Sequence, residues 1–212
     1  MRRQGRLLLS GSLCLAALLL SACQAQTVTP GGASVPAVRQ DRVPIVRPLA
    51  LVPMAEPLVV TFHLDPPGKS GTSTLLVAVR VSGADGAVSR GLASSIQSAG
   101  VPARVQLIRE GNNGGVPVPL VRVEEHQDGS GTTLPVAANG QVSRVWLDDV
   151  DDLDLERAGL ADPKRDYRQL ALAWAENLPP GRYRLNFQIL DPKPDLATIP
   201  AELLVAYRHK SK

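Results

Sequence analysis

From Leu58 onward, apolar and polar residues alternate with a period of two. Leu58, Val60, Phe62 and Leu64 interleave with Val59, Thr61 and His63, and Leu75, Val77, Val79 and Val81 with Leu76, Ala78 and Arg80. Val105 and Leu107 alternate with Arg104 and Gln106 in a third run. Val116 to Val123 is a fourth, which Pro117 and Pro119 push to a sheet edge or delay until Leu120, because proline has no ladder donor. Val142 to Leu147 and Leu170 to Ala175 follow. The clearest run is Arg182 to Leu190, with Tyr183, Leu185, Phe187 and Ile189 on the core face and Arg182, Arg184, Asn186 and Gln188 on the wet face. Ala201 to Tyr207 closes the pattern. Eight short strands between Gly, Pro, Asp and Asn turns predict an all-β antiparallel sandwich, and the lack of regular helices between strands excludes a parallel α/β sheet. Two short helices are expected, Arg90 to Ala99 and Asp152 to Leu160, the second with acidic residues in its first turn, where the positive end of a helix dipole favours them.

The pattern ahead of Leu58 is different in kind. Arg2, Arg3 and Arg6 precede an apolar run from Leu7 to Leu20, too short to cross a hydrocarbon core of about 30 Å as a helix, and this reads as a secretory signal. Leu20-Ser21-Ala22-Cys23 comes next and resembles the lipobox of bacterial lipoprotein precursors, in which two small residues admit the peptidase and the cysteine thiol accepts the diacylglycerol. The resemblance implies a signal peptide over 1–22 and a lipidated Cys23 as the mature N-terminus, attached to a lipid bilayer. The plainer alternative is a secreted protein cleaved near Ala22 or Ala25. Residues 23–56 carry Pro30, Pro36, Pro44, Pro48 and Pro53 and read as a flexible Pro-rich tether, with the sandwich domain over 57–212. For Val43 to Val52 the alternative is an edge strand packed on the domain.

Composition and charge then narrow the classes. Losing Arg2, Arg3 and Arg6 with the signal takes Lys plus Arg from 23 to 20, equal to the 20 Asp plus Glu, so the mature chain has no basic excess for nucleic-acid binding. Cys14 lies in the signal and Cys23 in the lipobox, which leaves no disulfide and no soft-metal thiol. The hydrophobic core must hold the domain alone.

Candidate chemistry is sparse. Gly68-Lys69-Ser70-Gly71 lacks the glycine and the following helix of a phosphate loop and is expected to be a hairpin loop. Asp148, Asp149, Asp151, Asp152, Asp154 and Glu156 form the densest charge run; Asp149, Asp151, Asp152 and Asp154 are a weak candidate for a divalent cation, without the register of a helix–loop–helix calcium site. A solvated loop and helix start is the plainer reading. His63, His126 and His209 lack the spacing of a zinc site, and no Gly-x-Ser-x-Gly elbow places a nucleophile. Trp146 and Trp174 are the two aromatics that could serve as exposed platforms, with core as the alternative.

Asn177-Leu178-Pro179-Pro180-Gly181-Arg182-Tyr183-Arg184-Leu185 resembles the turn and strand of immunoglobulin-like sandwiches, in which the tyrosine clamps the corner through its hydroxyl. Together with Gly115 to Leu120 and Leu190 to Ala197, it is similar to a proteobacterial lipoprotein family of unknown function with an immunoglobulin-like β-sandwich domain. That resemblance implies a fold-defining turn at Pro180, Gly181 and Tyr183 and carries over no catalytic residue, cofactor or metal. The expected function is a non-catalytic interaction module of the cell envelope that meets an envelope protein through an edge strand or end loops. The alternative is a small-molecule or envelope-polymer binding lipoprotein, for which a concave apolar pocket with convergent polar groups would be the mark. A hydrolase has least support. Gln24, where lipoproteins retained at the inner membrane carry Asp, points to the outer membrane facing the periplasm.

Overall fold

Period-two patterning matures into two antiparallel sheets that face each other across one apolar core. The computed structural model describes residues 41–69, 71–111, 114–126, 128–191 and 193–209. The expectations for the signal peptide, Leu20, Ser21, Ala22, Cys23 and the tether as far as residue 40 lie outside these. In chain order the strands are β1 (Ile45–Leu49), β2 (Leu58–Leu64), β3 (Gly71–Gly83), β4 (Ala103–Arg109), β5 (Val116–Pro117), β6 (Val121–Glu125), β7 (Gly131–Pro135), β8 (Gln141–Val142), β9 (Trp146–Asp148), β10 (Asp166–Ala175), β11 (Gly181–Ile189) and β12 (Ala201–His209). The helices are α1 (Gly86–Ala99) and α2 (Asp152–Arg157), with a short 3₁₀ turn at Pro194–Leu196.

The larger sheet runs β1-β12-β3-β10-β6-β7, with β9 also on β10, and the smaller runs β2-β11-β4-β5, with β8 also on β4. The fold is an all-β sandwich. Val77, Val79, Leu170 and Leu203 of the larger sheet meet Phe62, Leu107, Tyr183 and Phe187 of the smaller in a single cluster. At one end α1 adds Ala93 and Ile96. That helix begins before Arg90 because Asp85 caps it, its Oδ1 accepting from the backbone N–H of Ala87 at 2.8 Å and Val88 at 3.0 Å. It ends at Gly100, where φ is +75°.

Four expectations are revised. Val43 to Val52 takes the edge-strand alternative: Ile45–Leu49 of β1 pair antiparallel with Val205 back to Ala201 of β12, so the folded domain begins before residue 57. Pro48 is tolerated there because β1 is terminal in its sheet. Gly68-Lys69 lies on the connection from β2 in one sheet to β3 in the other and so turns no hairpin. Val142 to Leu147 is two strands in different sheets, because the chain crosses between them after Val142. Finally, β3 has no wet face. Leu76, Ala78 and even Arg80 are buried, since Val150, Leu155 and Trp174 join Val46, Leu204 and Ala206 in a second apolar cluster on the outside of the larger sheet.

Arg80 shows how that outer layer is held. Its Nε donates to Glu202 Oε2 at 2.8 Å, its Nη2 to the Leu160 carbonyl at 2.8 Å, and its guanidinium lies 4.5 Å from the centre of the Tyr167 ring. A buried cation is costly unless paired, and here a carboxylate, a carbonyl and a π face share the task. Among the described residues no helix is long and apolar enough to cross a membrane.

Candidate functional site

Pro179 and Tyr183 of the fold-defining turn line a hollow beside the β4 edge. Gly181 has φ +152°, which L side chains rarely adopt, and it swings the chain from Pro180 into β11. Tyr183 is wholly buried and stacks on Phe62 with centroids 5.9 Å apart and 19° between the planes. Its hydroxyl donates to the Pro179 carbonyl at 2.7 Å, tying the strand back to the turn that launched it. Burial pushes the phenol above its ordinary pKa, so it is a neutral clamp.

Beside this corner, the outer edge of β4 is only partly paired. β5 covers Ile108 and Arg109, β8 covers Ala103 and Arg104. Between them the Val105 N–H donates to the Gly140 carbonyl at 2.8 Å, and the Leu107 carbonyl accepts from the Val118 N–H at 2.8 Å. Pro117 and Pro119 bracket Val118 and withhold their own donors, so the ladder stops and the chain bows away. A cavity of about 470 Å³ opens in the gap, with Val105, Leu107, Val118, Leu120 and Val136 on its walls and Gln106 as its one polar side chain. On the far side of residues 117–119 lies a second hollow of about 270 Å³, bounded by Trp174, Tyr183 and Pro179 with Arg109 and Glu176 at its rim. The expectation that the prolines mark an edge agrees with this arrangement, and the cavity is the feature sequence reading missed. Its signal was the Pro-Val-Pro-Leu run, but the walls come from segments far apart in sequence.

The other candidates separate. Trp174 is buried, and its Nε1 donates to Asp148 Oδ2 at 2.6 Å; Asp148 also accepts from Arg208 Nε at 2.9 Å. Trp174 is therefore core. Trp146 is half-buried over the hairpin of β6 and β7, so close that a Cβ on Gly131 would come within 3.2 Å of it. In the acidic run, Asp148 is taken by Trp174 and Arg208, and Asp154 faces Arg157 at 3.3 Å. Asp151 is buried at the start of α2. The Asp152 carboxyl is pushed up, first by burial and then by Asp149, Glu156 and Asp151. Among the described residues no group of three or more His, Cys, Asp and Glu is arranged to hold a metal ion, so Asp149, Asp151, Asp152 and Asp154 are not brought together as one site. His126 Nε2 is 2.7 Å from Thr132 Oγ1 across a hairpin end, and His63 lies 3.5 Å from Asp65.

No family model matches the chain, and no curated protein does. Among solved structures it aligns with the crystal structure of GEBA250068378 from Sulfurospirillum deleyianum, over 79% of this chain and 98% of that one, at 10% identity and a TM-score of 0.33.

Proposed function

We propose that this chain is a membrane-anchored periplasmic lipoprotein whose immunoglobulin-like sandwich is a non-catalytic binding module of the cell envelope. Cys23 of the Leu20-Ser21-Ala22-Cys23 lipobox carries the acyl chains and holds the protein at the outer membrane, facing the periplasm. The Tyr183 clamp supports the immunoglobulin-like reading, since a corner tyrosine bonded to the backbone a few residues upstream belongs to such sandwiches. The partner is an envelope protein that lays an apolar segment along the β4 edge.

The observation that carries the binding reading is the cavity of about 470 Å³ on that edge. Its size falls within the roughly 300–1,000 Å³ usual for binding sites, and its walls are almost wholly apolar. It sits where a sheet edge is interrupted, so an entering segment gains both apolar burial and the chance of main-chain pairing. A photo-crosslinking residue at Val118, in the acylated protein in its own envelope, tests this beside the same residue at exposed Val59 on the smaller sheet. A discrete adduct from Val118 that Ala137→Glu removes is expected. Adducts from Val59 alone, or a Val118 adduct that survives Ala137→Glu, would contradict it.

A further inference from the structure

The wet face of the smaller sheet is concave at one place. Arg104 and Gln106 of β4 lie opposite Gln188 and Asn186 of β11 in register. These four side chains floor a pocket of about 330 Å³, walled by Asn139 on one side and Pro57 on the other. The wall at residue 139 is fixed. Gly140 has φ +76°, and a Cβ there would come 2.6 Å from the Val105 carbonyl and 2.9 Å from Gln106 Cγ, so the turn is pressed against the floor in a way only glycine permits. Asn139 is set by Gln141, whose Oε1 accepts from its Nδ2 at 2.7 Å and whose backbone N–H donates to its Oδ1 at 3.0 Å.

The floor is likewise oriented before any ligand enters. Gln188 Nε2 donates to the Met54 carbonyl at 2.8 Å, which turns its Oε1 toward Arg104, whose Nη1 donates to it at 3.1 Å. One edge of the guanidinium is thus held in place. The lining contains no carboxylate and no aromatic ring. On the same face, the outward positions of β2, β4 and β11 are Val59, Thr61, His63, Arg104, Gln106, Ile108, Arg182, Arg184, Asn186 and Gln188, and Glu110, just past β4, pairs with Arg182 at 2.8 Å. Arg104 is the one charged side chain in the pocket lining.

We propose that this pocket binds a saccharide bearing a carboxylate. A carboxamide offers a donor and an acceptor together, as a sugar hydroxyl does, so Gln106, Asn186 and Asn139 match neighbouring hydroxyls without burying charge. A guanidinium matches a carboxylate in a bidentate, charge-assisted pair, which assigns the acid group to Arg104. Nucleobases would call for a stacking platform, which the lining lacks. This pocket adjoins the apolar cavity, with which it shares Gln106, and its ligand goes beyond the protein-partner reading.

The test is titration calorimetry on the acylated full-length protein in detergent, with trigalacturonate, neutral galactotriose and inorganic phosphate as probes. Trigalacturonate is expected to bind, galactotriose at least about tenfold more weakly, and phosphate not measurably over the same range. Arg104→Met should bring trigalacturonate down to the galactotriose affinity. Gln106→Ala with Asn186→Ala should abolish binding of both sugars, while Thr61→Ala, outside the pocket, changes neither. Each variant alters an outward side chain, and its thermal unfolding is recorded alongside. No heat from trigalacturonate, equal affinity for the neutral sugar or for phosphate, or affinities unmoved by both the Arg104 and the carboxamide variants would overturn the proposal.

Discussion

Tyr183 concentrates the account at the scale of one residue. Its ring is fully buried against Phe62, while its neighbours Arg182 and Arg184 face outward, Arg182 in an exposed pair with Glu110 at 2.8 Å. Truncating a buried ring costs about 3–5 kcal/mol, and an exposed ion pair contributes no more than about 1. Tyr183→Ala is therefore expected to lower the melting temperature sharply, Arg182→Ala only slightly, and Tyr183→Phe by about 1 kcal/mol for the hydroxyl bond to Pro179. Thermal denaturation of the three variants measures this, and an arginine variant falling further than Tyr183→Ala would exchange the inside and outside of β11. Tyr207 adds a pH dependence. Burial, with a smaller contribution from the Asp65 carboxylate, pushes its phenol up to about 12. An unfolded tyrosine ionises near 10, so between about pH 10 and 12 the unfolded chain has lost a proton that the folded chain keeps. The stability from this group is whole below about pH 10 and is lost as the pH rises toward 12. In denaturant titrations, Tyr207→Phe should flatten that alkaline decline; an unchanged slope would remove Tyr207 as its source.

At the scale of elements, the edge of β4 depends on the turn that Gly140 makes. Gly140→Ala would bring a Cβ within 2.6 Å of the Val105 carbonyl at a positive φ, and strain of this kind costs about 1–3 kcal/mol. Urea denaturation should show that loss, and the neighbouring Ala138→Gly should show much less. Elements with one buried and one wet face were legible in the sequence: β2 was read with its observed bounds and β11 with its faces correctly assigned. Legibility failed where a third layer or an edge intervened. β3 alternates in the sequence, yet both its faces are covered, because residues 146–165 fold back over it and Arg80 finds Glu202 and Leu160 there. β1 looked like tether because prolines discourage interior strands but not terminal ones. β7, Gly-Thr-Thr-Leu-Pro, has hardly any apolar alternation to read, since most of it is exposed. The apolar cavity left only the trace of Pro117 and Pro119, because its walls meet through topology and not through local pattern.

For the whole molecule, the two sheets do different work. The larger is covered on both faces along β3, with α2 over its outer face, although its β7 stays mostly exposed, and the smaller leaves one face open with Arg104, Arg182 and Arg184 on it. Both proposed binding sites lie on the smaller sheet and its partly paired edge. A single acyl chain binds a membrane only marginally, whereas two or more bind stably, so an acylated Cys23 is sufficient to keep the protein there. Density-gradient fractionation should place it with outer-membrane markers, as Gln24 implies, and co-migration with inner-membrane markers would contradict that destination. The most direct test of the account is radioactive palmitate labelling of cells making the wild type or Cys23→Ala. Labelled wild type in the membrane fraction, with Cys23→Ala unlabelled and released to the soluble fraction, is the predicted result; a variant that still takes up label, or a wild type that takes up none, would contradict the lipid anchor.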